Sequence, residues 1–126
     1  MKFDITGKET GVFETNSYAP TNNDLRGGSQ VIPYKGGYLS ILHETDLYKS
    51  EQGRKNATYR HRFVIWNKDF QIIKVSKLFS FMNMKIEFCC GMAEYKNDYL
   101  ITFGAQDNAG YILKVSKSVV EDFINE

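Results

Sequence analysis

Short runs of β-branched and aromatic residues alternate with clusters of Gly, Asn, Asp and Lys, roughly every 8–12 residues, which is the spacing of strands joined by tight turns. Ser29 to Tyr34 and Gly37 to Glu44 flank Lys35-Gly36-Gly37 and predict a hairpin, since glycine supplies the positive φ that a two-residue turn needs. Leu47 to Asn56 is polar and reads as a loop. Tyr59 to Trp66 then alternates, Asn67-Lys68-Asp69 reads as a turn, and Gln71 to Ser76 as a further strand. Four strands in succession have the length of one propeller blade. The scheme repeats at Lys85 to Tyr95, Tyr99 to Gly104 and Tyr111 to Val115, with turns at Lys96-Asn97-Asp98 and Asp107-Asn108-Ala109-Gly110.

The two ends of the chain differ from this scheme. Ser118-Val119-Val120-Glu121 fits a capping box and predicts a short helix over Val119 to Ile124. The first 28 residues are polar, with edge strands expected near Phe3–Ile5 and Gly11–Phe13 and a loop through Thr15-Asn16-Ser17 and Thr21-Asn22-Asn23-Asp24. The expected fold is therefore mainly β: about two antiparallel propeller-like blades, a partial five-bladed propeller, closed by a C-terminal helix. Residues 1–126 form one domain on this reading, with edge strands and loop in 1–28, a first blade in 29–77, and a second blade plus helix in 85–126.

The two-residue period of a strand puts Tyr59, His61 and Phe63 on one face and Arg60, Arg62 and Val64 on the other. Phe79, Phe81, Met82 and Met84 are expected to pack between the blades. Trp66, Tyr38, Tyr48 and Tyr59 suit either the core or the stacking of sugar rings.

Composition narrows the choices. With 42% hydrophobic and 25% charged residues the chain is that of a globular domain stabilised by packing. A net charge of +1, with basic and acidic residues interspersed, leaves no footprint for nucleic acid or an anionic membrane. No stretch has the apolar length of a signal peptide or of a membrane span, so a cytoplasmic protein is expected. Cys89 and Cys90 are adjacent, point to opposite faces of a strand, and read as reduced thiols rather than a staple or a metal site. Asn56-Ala57-Thr58 matches a glycosylation sequon, which carries little weight without a secretion signal. Phosphate-loop, dinucleotide, zinc-protease and nucleophile-elbow motifs do not occur, and neither metal nor cofactor is expected.

Five segments occur in a telling order: Arg26-Gly27-Gly28-Ser29-Gln30, Gly37-Tyr38-Leu39-Ser40-Ile41-Leu42-His43-Glu44, Tyr59-Arg60-His61-Arg62-Phe63-Val64, Ile86-Glu87-Phe88-Cys89-Cys90-Gly91 and Phe103-Gly104-Ala105-Gln106-Asp107. Together they resemble the closing blades of five-bladed propellers related to the β-mannoside phosphorylases of glycoside hydrolase family 130, and propeller modules attached to bacterial glycosyltransferases. The resemblance implies that Arg26, beside the Gly27-Gly28 turn, and His43 help to hold an anion, and that Asp107 accepts a sugar hydroxyl. Two departures stand against full activity. The general-acid Asp of that family lies in an earlier blade with no counterpart here, and the Gly that follows its His is Glu44.

The candidate residues are thus Arg26, Gly27, Gly28, His43, Glu44, Tyr59 and His61 for ligand binding, with Glu87 and Asp107 for catalysis. Glycines let a main chain approach an anion closely while Arg makes bidentate contacts; the plainer alternative is a solvated arginine beside a turn. His43 and Glu44 are expected at a strand end, on a rim. His61, among aromatics, serves equally well as a core residue. An inward Glu87 facing Asp107, or in reserve Glu44, has the elements of a glycosidase pair; alternatively Glu87 pairs with Arg60 or Arg62 to hold the blades together. The leading expectation is a module that binds carbohydrate or sugar phosphate on one rim and works as a homo-oligomer. The alternatives are an oligomeric glycosidase or phosphorylase, and a protein that sequesters a small anion or nucleotide or binds a partner.

Overall fold

The computed structural model describes residues 2–12, 25–49 and 55–126. Residues 13–24, with Phe13 of the expected second edge strand and the expected loop after it, and residues 50–54 lie outside them. Tight turns set the layout. Lys35 and Gly36 both take positive φ, at 44° and 79°, and close a two-residue hairpin in which Tyr34 pairs with Gly37. Lys96, at φ 55°, does the same between Tyr95 and Asp98. Asn67 builds the third turn with its side chain, Oδ1 accepting the N–H groups of Asp69 at 2.9 Å and Gln71 at 3.0 Å.

A small hairpin of β1 (Lys2–Phe3) and β2 (Glu9–Gly11) comes first. A five-stranded antiparallel sheet follows, built from β3 (Leu25–Arg26), β4 (Ile32–Tyr34), β5 (Gly37–Lys49), β6 (Lys55–Trp66) and β7 (Ile72–Val75). β3 and β4 pair with different stretches of β5, and β6 and β7 continue the sheet on the other side. The second sheet is the meander β8 (Glu87–Tyr95), β9 (Asp98–Ala105) and β10 (Ala109–Ser116), and α1 (Lys117–Asn125) ends the chain. The chain is mainly β, with antiparallel sheets and one helix, and its curled sheet fits a partial, propeller-like description.

Both sheets share one core. Leu39, Ile41 and Phe63 of the first meet Cys89, Met92, Tyr99 and Ile101 of the second, with Val120 and Ile124 of α1. Two devices hold the sheets together. The Gln30 side chain behaves like a piece of backbone, Nε2 donating to Met92 O at 2.6 Å and Oε1 accepting from Met92 N at 3.2 Å. The connection between the sheets also runs beside β6: Ser76 N donates to Phe63 O, Phe79 exchanges both main-chain bonds with His61, and Tyr59 N donates to Lys85 O.

Several boundaries differ from expectation for identifiable reasons. β5 continues to Lys49 and β6 begins at Lys55, so the described part of the polar stretch read as a loop, Leu47–Lys49 and Lys55–Asn56, is paired strand. Main-chain pairing continues past the apolar positions that mark a strand in sequence. β4 begins only at Ile32, because Ser29 is held by Ile41 instead: its N–H donates to Ile41 O at 2.9 Å and its Oγ accepts from Ile41 N at 2.8 Å. The helix starts two residues early. Ser116, still extended, is the cap, with Oγ accepting from Val119 N at 3.3 Å, whereas Ser118 lies inside the first turn. The N-terminal strands lie at 2–3 and 9–11 rather than 3–5 and 11–13.

Candidate functional site

Glu87 opens β8 with its side chain on the core face, in the same phase as Cys89. Its carboxylate is fully buried, and the chain just before β8 folds over it. Oε1 accepts Phe81 N–H at 2.8 Å, and Oε2 accepts Met82 N–H at 2.7 Å and Met84 N–H at 3.2 Å. His61 Nε2 lies 3.4 Å from Oε1, without hydrogen-bond geometry, and neither nitrogen of this buried imidazole has a hydrogen-bond partner. Phe81 and Phe79 flank its ring, with centroids 4.4 and 5.7 Å away. Burial pushes the His61 imidazole down to about 4, against the opposing pull of Glu87.

The expected pairing of Glu87 with Arg60 or Arg62 is not formed. Arg60 Nη1 donates to Tyr59 O and Met84 O, at 2.8 and 3.1 Å. Arg62 Nε donates to Glu44 Oε1 at 2.5 Å and its Nη1 to Ser76 O at 2.7 Å, tying β5, β6 and the inter-sheet connection together. Glu44 is 4% exposed, so this pair is nearly dry. The alternation that put His61 and Phe63 on one face put Arg62 on the other, away from Glu87.

Arg26, His43, His61 and Phe79 lie in one transverse row of the first sheet, each in register with the next. The structure thus brings together three of the residues singled out from sequence. His43 is half-buried against Tyr59, with ring centroids 5.4 Å apart, and its Nδ1 is buried without a partner. Burial lowers the affinity of this imidazole for a proton, the Arg26 charge adds to the effect, and the Gly27 backbone opposes it. His43 stands in the middle of β5 rather than at its end, because the strand runs on to Lys49. Gly28 serves packing: a Cβ there would meet Ile41 O at 2.2 Å, so only glycine lets the chain lie against β5. Gly27 beside it is open, and a Cβ there would meet nothing within 4 Å.

Asp107 lies elsewhere. It occupies the turn between β9 and β10, exposed, with φ of 57° and Gln106 before it at 56°. It borders a shallow cleft of about 610 Å³ on the outer face of the second sheet, with Phe88, Cys90, Thr102, Asn108 and Tyr111. The Phe88 ring shapes the wall, lying over Gly104, where an added Cβ would come within 2.9 Å of it. Tyr111 stacks on Phe103, with centroids 5.4 Å apart, on the opposite, core-side face of the sheet. None of Arg26, Gly27, Gly28, His43, Glu44, Tyr59, His61 or Glu87 lines this cleft. The single rim expected from sequence is therefore not assembled: Glu87 is sealed behind Phe81–Met84, while Asp107 faces solvent.

Phe88, Thr102 and Asn108 were not singled out as ligand contacts. The signal for Phe88 was available in the Phe-Gly cross-strand pair of Phe88 and Gly104, a glycine that leaves a ring lying flat on the sheet. Among the described residues no group of three His, Cys, Asp or Glu side chains is placed to hold a metal ion, and no helix is long and apolar enough to cross a membrane. Cys89 is buried, with its thiol pushed up to about 12 by burial, and Cys90 is exposed in the cleft wall.

Fold and cleft together define a two-sheet β scaffold with an aromatic-walled, carboxylate-rimmed depression. Comparison with protein-family models, curated proteins and solved structures gives no match.

Proposed function

We propose that the chain is a carbohydrate-binding module, acting as an oligomer, with its sugar in the Asp107 cleft. The observation that carries this reading is flat aromatic surface beside polar groups at one rim: Phe88 over Gly104 offers its face to sugar C–H groups, while Asp107, Asn108 and Thr102 offer hydrogen bonds to hydroxyls. The likeness of Gly104-Ala105-Gln106-Asp107 to the phosphorylase propellers points to the same carboxylate. Two unpaired cysteines suit a reducing compartment, so we place the protein in the cytoplasm.

Isothermal titration against mannosides, sugar phosphates and nucleotide sugars tests the reading. A saturable heat with one class is expected, weakened at least tenfold by Phe88→Ala and by Asp107→Asn. No heat with any of them, together with an unchanged melting temperature, would overturn it.

A further inference from the structure

The second sheet ends in an open edge. β10 pairs with β9 along all eight of its residues, and its other side carries main-chain N–H and C=O groups that no described strand covers. The side chains on this edge are apolar for an exposed strand: Ile112 is 73% exposed, with Tyr111 and Leu113 also exposed. Long, apolar open edges recruit another strand unless a charge, a proline or a bulge blocks them. β10 pairs in unbroken register and has no proline, and its one charged residue is Lys114.

We infer that a second copy of this chain pairs with β10, antiparallel about a two-fold axis through Ile112. Directly opposed residues of an antiparallel pair face the same side, so a two-fold pairing must centre on a residue. Centring on Ile112 sets Ile112 against its own copy, Tyr111 against Leu113, and Ala109 against Val115. Lys114 then lies opposite Gly110, where no side chain meets it, so the one charge on the strand no longer blocks pairing. Just past the strand ends, the same count brings Asp107 towards Lys117 of the second copy, an opposite charge that also lies 3.5 Å from Glu94 of its own chain. Centring on Leu113 instead sets Lys114 against Ile112 and leaves Asp107 opposite Val119. Charge complementarity therefore selects the Ile112 register.

The pairing also reaches the cleft. Gly110, Ile112 and Lys114 share the outer face of β10, the face of Phe88 and Thr102, and Gly110 and Ile112 line the cleft. Lys114 of the second copy consequently arrives beside Gly110, adding a cation to a wall that has none of its own. Resting on the proposed sugar cleft, this last point favours an anionic sugar, such as a sugar phosphate, over a neutral one.

The test reads mass without any ligand, so it stands or fails separately from sugar binding. Multi-angle light scattering of the full chain is expected to give twice the chain mass, and Ile112→Lys, at an exposed position that leaves the circular dichroism unchanged, is expected to halve it. In a Cys90→Ser background, Ile112→Cys is expected to form a disulfide-linked dimer under mild oxidation while Leu113→Cys does not, because only position 112 faces itself within disulfide reach. A monomeric wild-type chain, which would leave the edge to a foreign strand, overturns the inference. So does a dimer that survives Ile112→Lys, or one that cross-links through 113 rather than 112.

Discussion

His61 and Glu87 face each other across 3.4 Å with neither side chain reaching solvent, yet the carboxylate takes its hydrogen bonds from three main-chain N–H groups and not from the imidazole. The carboxylate thus fixes the course of the chain from Phe81 to Met84, and the imidazole is a neutral member of an aromatic cluster. Different consequences follow for each.

Glu87→Gln replaces one accepting oxygen by an N–H₂ group that must point at main-chain donors. Leaving buried donors unpaired is expected to lower stability by about 2–4 kcal/mol, read as a shift in the urea midpoint. If the midpoint does not move, the carboxylate does not hold the 81–84 segment.

His61 takes up a proton near pH 4 in the folded chain and near 6.5 in the unfolded one. Between those values the unfolded chain binds the additional proton, so stability is complete above about pH 6.5 and is lost as the pH falls towards 4. The loss is on the order of 3 kcal/mol, and His43, shifted in the same direction, adds to it. Urea unfolding at pH 7 and pH 4.5 measures the slope, which His61→Phe should flatten. A slope that the substitution leaves intact assigns the titration to other groups.

Glu44→Ala strands the guanidinium of Arg62, which is only 12% exposed, between β6 and the connection at Ser76. The expected cost is about 3 kcal/mol. Arg62→Ala should cost a similar amount, and the double variant much less than the sum. Additive losses would show that the two side chains do not act as a pair.

Gly28→Ala separates packing from anion binding. A Cβ at 2.2 Å from Ile41 O cannot be relieved by moving a side chain, since the obstacle is main chain. A fall in stability of about 2 kcal/mol or more is expected, whereas Gly27→Ala, at an open position, should leave stability within about 0.5 kcal/mol. Equal behaviour of the two variants would contradict the close approach of β5.

Turn chemistry and alternation made the fold legible. Lys35-Gly36 and Lys96-Asn97 are two-residue turns whose residues announce themselves, and the alternation of Tyr59 to Trp66 correctly separates His61 from Arg62. The site was less accessible for physical reasons. Ile86 to Cys90 is apolar throughout save for Glu87, so nothing local says that Phe88 faces outward, and the irregularity between Cys89 and Gly91 shifts the phase again. The partners of Glu87 are main-chain groups of a segment without regular structure, which no side-chain pattern reveals. Grouping Arg26, His43 and Asp107 on one rim treated all strand ends as neighbours. In the structure His43 is in the middle of a strand and Asp107 is on the turn of the other sheet.

The clasp between Gln30 and the main chain of Met92 joins residues 62 positions apart, whereas almost every strand pairing joins neighbours in sequence. Closing short loops costs little entropy, so each meander can zip up early and nearly independently. The meeting of the two sheets is then expected to be the slow event in folding, and pulse-labelled hydrogen exchange at the Met92 amide, which donates to Gln30, reads the moment at which the halves become one molecule.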